Sequence, residues 1–243
     1  MMLSILRPRR FLRLLTSDAM NVSRDPMLLF AIVMSIVPAI AFAFAREPMD
    51  GAALAAFGLP EISSYVALFV LVLPAILIGW VTGFLLLEDR DDGVLLAVDV
   101  TPVGKSGFLL YRVTITALIG AAITAVAIPL VVPSIAFEAK ILLVAAVAAE
   151  SVLAAVILPA VARNKVEGLA LTKLTNIAAI IPLIAIIPSP WRFVAGIVPT
   201  YWIGELLVGP IPALPVGVIA VTMIVTHVGW AAVLFWLLGQ RIG

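Results

Sequence analysis

The chain has 243 residues, 64% of them hydrophobic and 12% charged, with a net charge of +1, one histidine and no cysteine. A mean hydropathy of +1.24 excludes a soluble globular domain, whose surface needs about twice this charged fraction. The lack of cysteine excludes a disulfide frame, a thiolate metal site and a thiol nucleophile. The lone histidine argues against a His-based metal centre, and the near-neutral charge offers nothing to nucleic acid.

The pattern along the chain predicts an all-α integral membrane protein with six transmembrane helices. Arg7, Pro8, Arg9 and Arg10 interrupt the apolar start before any signal-peptide core develops, so no cleaved targeting segment is expected. Over residues 7–25, Leu12, Leu15, Ala19 and Val22 recur at steps of three or four, with Arg9, Arg13, Ser17, Asp18 and Asn21 on other faces. Residues 1–26 are therefore expected to form an amphipathic interfacial helix in the headgroup region, its arginines reaching anionic lipid. Residues 27–243 would form the six-span domain.

About 20 apolar residues cross a hydrocarbon core of roughly 30 Å, which places spans at 27–45, 65–87, 112–132, 141–162, 174–190 and 216–238. Pro38 is expected to kink the first span, and Pro182 and Pro188 to interrupt the fifth. Residues 46–64 read as an acidic, turn-rich connector. Residues 191–215 are apolar but broken by glycines and prolines. Short helices or a re-entrant hairpin fit them, with Trp191, Tyr201 and Trp202 as headgroup anchors. A cytoplasmic N-terminus leaves only Arg46, Lys140 and Arg192 of the 15 basic residues outside, so both termini are expected in the cytoplasm. The two halves of three spans share no motif that aligns.

The most charged stretch is residues 87–102, between the second and third spans. Its Asp92-Gly93 pair resembles the start of the metal signature of CDP-alcohol phosphotransferases. Leu96-Ala97 stands where that signature needs Ala-Arg, and Asp99 is the only later acid of the loop, too few oxygen ligands for a divalent cation. A docking element fits better. Glu88, Asp89 and Asp92 lead through Gly93 into a short cytoplasmic helix with Val94, Leu95 and Val98 on one side. Thr101 and Pro102 would stop it, and Thr101 and Ser106 could cap the helix that follows.

Glu88, Asp91, Gly93, Leu95, Thr101 and Pro102 together form a pattern that resembles the first cytoplasmic loop of type-2 (type V) ABC exporter permeases. Asn164-Lys165-Val166-Glu167-Gly168 and the residues to Lys173 resemble the second cytoplasmic loop of a subgroup labelled fluoroquinolone or multidrug export permeases, and Pro199-Thr200-Tyr201-Trp202 the segment before its last span. The resemblance implies a multidrug-type exporter subunit in the bacterial cytoplasmic (inner) membrane, with no enzyme activity and no cofactor of its own. It would work as a homo- or heterodimer with two ABC ATPase subunits, which would bind ATP and Mg. It also implies that the short helix is the coupling helix seated on the ATPase, with Asn164, Lys165, Glu167 and Gly168 in a second contact. Consistently, Gly104-Lys105-Ser106 matches only the end of a phosphate-binding loop, with Asp99 where its first glycine would stand.

Two polar residues lie within spans. Glu150 sits mid-span among Ala146, Ala149, Ala154 and Ala155, where an ionised carboxylate costs roughly 2.5 kcal/mol or more. It should be protonated, paired or facing a cavity. His227 lies near Thr222, Thr226 and Trp230 and is either functional or a neutral imidazole bonded across helices. An ion- or proton-coupled secondary transporter using Glu150 and His227, or an anchoring subunit without transport, remain the competing readings.

Overall fold

In the computed structural model, which describes residues 8–209 and 214–242, Asp25 decides where the first long helix begins. Its carboxylate accepts hydrogen bonds from the backbone N–H of Met27 (2.9 Å) and Leu28 (3.4 Å), two of the donors that a helix start leaves unpaired. Before it runs the amphipathic helix α1 (Pro8–Arg24), and after it α2 (Pro26–Phe57). The expectations for residues 1–7, Pro210 and Pro212 lie outside the described residues.

The helix α2 corrects the expected connector. Its 32 residues reach roughly 48 Å at 1.5 Å per residue, so it continues through Arg46, Pro48 and Asp50. It stops only at Gly58, whose φ of +67° closes the helix end without a Cβ clash. The acid Asp50 then takes a cap role across the turn. It accepts from Ser63 N–H (2.8 Å) and Ser63 Oγ–H (2.6 Å) at the start of α3 (Ile62–Asp91).

The central helix is α3, against which α2, α5 (Gly104–Val131) and α6 (Phe137–Val161) all pack. Its side chains Leu68, Leu71, Val72 and Ala75 are fully buried. The closest approach is to α6. A Cβ on Gly79 would fall within 3 Å of the Ser151 carbonyl and Ala154, and one on Gly83 within 3 Å of the Ala155 carbonyl and Leu158. Gly79-x-x-x-Gly83 is thus a small-residue seam that lets two spans touch backbone to backbone. The spacing is visible in the sequence, but only the approach of α6 shows that it is used. Across the next interface Thr82 and Thr116 share a buried hydrogen bond of 2.6 Å.

Between α3 and α5 lies α4 (Val94–Asp99), entered through Gly93 at φ +72°. The capping expectation needs correction here. Thr101 Oγ1 donates to Val98 O (2.7 Å) and accepts from Val103 N–H (3.3 Å), so Thr101 closes α4 and does not open α5, which starts at Gly104 with Ser106 already in its first turn.

Beyond α6, α7 (Lys165–Thr175) opens the fifth membrane-crossing segment, which continues as 3₁₀ helix through Asn176–Ala179 and Ile181–Ile186. The segment therefore starts nine residues earlier than the expected Leu174 and is not one α-helix. Pro182 has no N–H to give the Ala178 carbonyl, and Thr200 Oγ1 takes its place at 2.8 Å. Another 3₁₀ stretch, Pro190–Ile197, and α8 (Tyr201–Val208) precede the last span α9 (Val216–Ile242). Six helical segments are long and apolar enough to cross a membrane, and no strand occurs among the described residues.

Candidate functional site

One end of the bundle collects the charges. Arg112, 3% exposed, reaches Asp18 of α1 (Nη1 to Oδ2, 2.8 Å) and Asp89 of α3 (Nη2 to Oδ2, 2.6 Å). Tyr111 Oη donates to the same Asp18 oxygen at 2.9 Å, and the Phe108 ring lies 5.0 Å beneath the guanidinium. Burial raises the Asp18 carboxyl above its ordinary 3.8, while Arg112 and the Tyr111 hydroxyl pull it down. Nearby, Arg90 donates to the Pro159 and Ala162 carbonyls, both at 3.0 Å, capping the C-terminus of α6.

The two loops expected to act together do meet. Lys165 stands 3.3 Å from Glu88 and 3.5 Å from Asp25. Asn164 Oδ1 caps α7 by accepting from Glu167 N–H (2.9 Å), and Glu167 reaches back to Arg163 N–H (2.7 Å). Gly168 lies against Leu87, where a Cβ would clash. Asp89, grouped above with the docking residues, instead turns inward to Arg112. Asp92, Thr101 and Pro102 are exposed.

The outward face of α4 also differs from expectation. Leu95 is 6% exposed and packs with Leu86 and Phe108, and Val98 is half-buried against the same cluster. Both root α4 in the bundle. The exposed apolar side chains are Leu96 (69%) and Val100 (89%), with Val94 at the edge. Only neighbours in space could decide which side of a six-residue helix faces in.

Mid-span, Glu150 of α6 and His227 of α9 come together, which separate reading of the two residues could not foresee. His227 Nδ1 donates to the Met223 carbonyl at 2.7 Å, within α9. Its Nε2 faces Glu150 Oε2 at 3.6 Å, beyond hydrogen-bond length, and neither atom has a partner. Thr222 and Thr226 are satisfied by carbonyls of their own helix.

Glu150 also lines a cavity of about 330 Å³ between α6, the fifth segment and α9. Its walls are apolar: Ile76, Leu153, Ile157, Leu174, Ile181 and Leu234. The other polar groups on it are engaged, Thr175 Oγ1 with Trp80 Nε1 (3.1 Å) and Trp230 Nε1 with the Ile197 carbonyl (2.7 Å). Among the described residues no three His, Asp or Glu side chains converge as a metal would require.

At the opposite end Arg192 Nε donates to Glu205 Oε1 at 2.6 Å, and the Tyr201 hydroxyl donates to the same oxygen. Burial, then the Glu205 hydrogen bond, raises the Tyr201 phenol. Tyr201 and Trp202 are buried, at 0% and 8% exposure, with Trp202 Nε1 bonded to the Gly196 carbonyl at 2.9 Å. They are core residues, contrary to their expected place as headgroup anchors. Of the three aromatics only Trp191, 82% exposed, is free to meet lipid. Pro199-Thr200-Tyr201-Trp202 is thus the lock that repairs the broken fifth segment.

Comparison with known proteins places the whole arrangement. The family described as fluoroquinolones export permease protein Rv2686c-like matches residues 18–238. Two relatives from Mycobacterium tuberculosis, fluoroquinolones export permease proteins MT2760 (strain CDC 1551 / Oshkosh) and Rv2686c (strain ATCC 25618 / H37Rv), are each 29% identical over 212 residues, covering 82% of either chain. The chain belongs to this family of export permeases and is a multi-pass membrane protein.

Proposed function

We propose that this member of the family is the membrane subunit of an ATP-driven ABC exporter in a bacterial cytoplasmic membrane, with the charged end of the bundle and both termini facing the cytoplasm. Two permease copies, alike or paralogous, would work with two ATPase subunits that bind ATP and Mg. The observation that carries this reading is α4. It is anchored inward by Leu95 and offers Leu96 and, just past its end, Val100 outward, while the end of α3 that leads into it meets α7 through the Glu88–Lys165 contact. A movement applied to its outer face would pass through Leu86 and Phe108 into α3 and α5. The cargo would be hydrophobic or amphipathic, as an apolar cavity of drug size accepts. The name of the two relatives makes fluoroquinolones the first compounds to try.

The Glu150–His227 pair keeps proton-coupled transport as the second reading, and one assay separates the two. In inverted membrane vesicles carrying the permease and its ATPase, norfloxacin accumulation should follow ATP and survive a protonophore. Accumulation that collapses with the proton gradient and ignores vanadate would favour the second reading. Orientation is tested by cysteines at Asp92 and Ala55, both exposed, in this cysteine-free chain. An impermeant maleimide on intact cells should label position 55 and not 92. The reverse pattern would invert the topology.

A further inference from the structure

The buried pair and the cavity bear on what the permease binds, given the exporter reading above. His227 Nδ1 already gives its hydrogen to Met223 O. Around Nε2 stand only acceptors: Glu150 Oε2 at 3.6 Å and the Ala146 carbonyl, which faces the ring outside hydrogen-bond geometry. At 3.6 Å the imidazole makes no hydrogen bond to the carboxylate, and no other donor reaches Glu150 Oε2. A carboxylate has about four lone-pair sites, and an unpaired one in an apolar cavity is costly. What the carboxylate lacks is a hydrogen-bond donor, and a positively charged one makes the stronger bond.

We propose that the cavity between α6, the fifth segment and α9 is a binding site for amphipathic molecules with one protonated amine, received by the Glu150 carboxylate, with the apolar body against Leu153, Ile157 and Leu234. Its volume of about 330 Å³ holds a small drug-sized body. Its outer wall carries Leu174 and Ile177, which are 65% and 54% exposed, so a ligand need not unfold the bundle to enter. An ammonium N–H donating to a carboxylate is about twice as strong as a neutral hydrogen bond. Selectivity for charge over shape follows.

The probe is monodansylcadaverine, a hydrophobic fluorophore with one primary amine, compared with its N-acetyl derivative, in which the amine is a neutral amide. Binding is measured by fluorescence on the full-length protein in lipid nanodiscs without ATP. The amine should bind about tenfold or more tightly than the amide, the ratio that one charge-assisted hydrogen bond supplies. Glu150→Gln should erase that preference and leave both probes at the affinity of the amide. Leu174→Trp, which fills the cavity and leaves the acid alone, should weaken both probes together. Equal binding of amine and amide to the native protein, or a preference that survives Glu150→Gln, would overturn the site. Because no ATP enters this assay, its failure would leave the vesicle experiment untouched. A preserved amine preference with no ATP-driven accumulation would instead remove the exporter reading and keep the site.

Discussion

Leu96→Asp together with Val100→Asp is expected to reduce ATP-driven export to background and to abolish copurification of the ATPase, while the permease expresses and folds normally. Both side chains are exposed, Leu96 on α4 at 69% and Val100 just past its end at 89%, so neither is part of the buried core. Each apolar side chain of this size contributes about 1.5–3 kcal/mol when a partner buries it. Losing two and placing two carboxylates in the contact should weaken docking by at least on the order of a hundredfold. The control is Leu95→Asp, which puts a charge into the cluster with Leu86 and Phe108. That change should lower the thermal midpoint of the permease itself, whether or not an ATPase is present. If the outward double variant exports normally and still holds the ATPase, α4 is not the docking element.

Arg112→Met should be among the most destabilising single changes in the protein. It leaves Asp18 and Asp89 facing each other with no cation, both side chains being under a fifth exposed, at 16% and 13%. Removing one partner of a buried pair costs about 3–5 kcal/mol, and α1 would come off α5 with it. The loss has a pH signature. Burial already places the Asp18 carboxyl above its unfolded value of 3.8, so its protonated form suits the folded state. Its favourable contribution is complete below 3.8 and disappears as pH rises through the raised folded value. Without Arg112 that folded value rises further, so the variant should regain stability on acidification from neutral pH toward 4. Thermal melts at pH 7 and pH 5 in detergent check this. A variant with native stability at pH 7, or with a deficit that grows on acidification, would mean that the cluster does not brace α1.

Hydropathy and helical period were enough to find six spans, the amphipathic first helix and the short helix after Gly93, because burial in lipid and local backbone preference act along the chain itself. Glycine and proline were read less well. Gly51 and Pro48 looked like loop residues, yet α2 runs through them, since Asp50 finds Ser63 and the helix meets no stop before Gly58. Pro182 and Pro188 rightly signalled a break in the fifth segment. Only its partners reveal how the chain survives the break, with Thr200 on the Ala178 carbonyl and Gly204 closing on Pro182.

The sequence by itself determined which residues are too polar for lipid and had to be explained, Glu88, Asp89, Arg112, Glu150 and His227 among them. The tertiary structure alone decided what each one faces. It turned Asp89 inward to Arg112, brought Lys165 to Glu88 across 77 positions, set His227 beside Glu150, and showed Leu96 outward in place of Leu95. The physical reason is that composition and period report how much of a helix must be buried. Which neighbour satisfies a given charge depends on distances between elements far apart in the chain, and those exist only once Gly79 and Gly83 have let α3 and α6 close together.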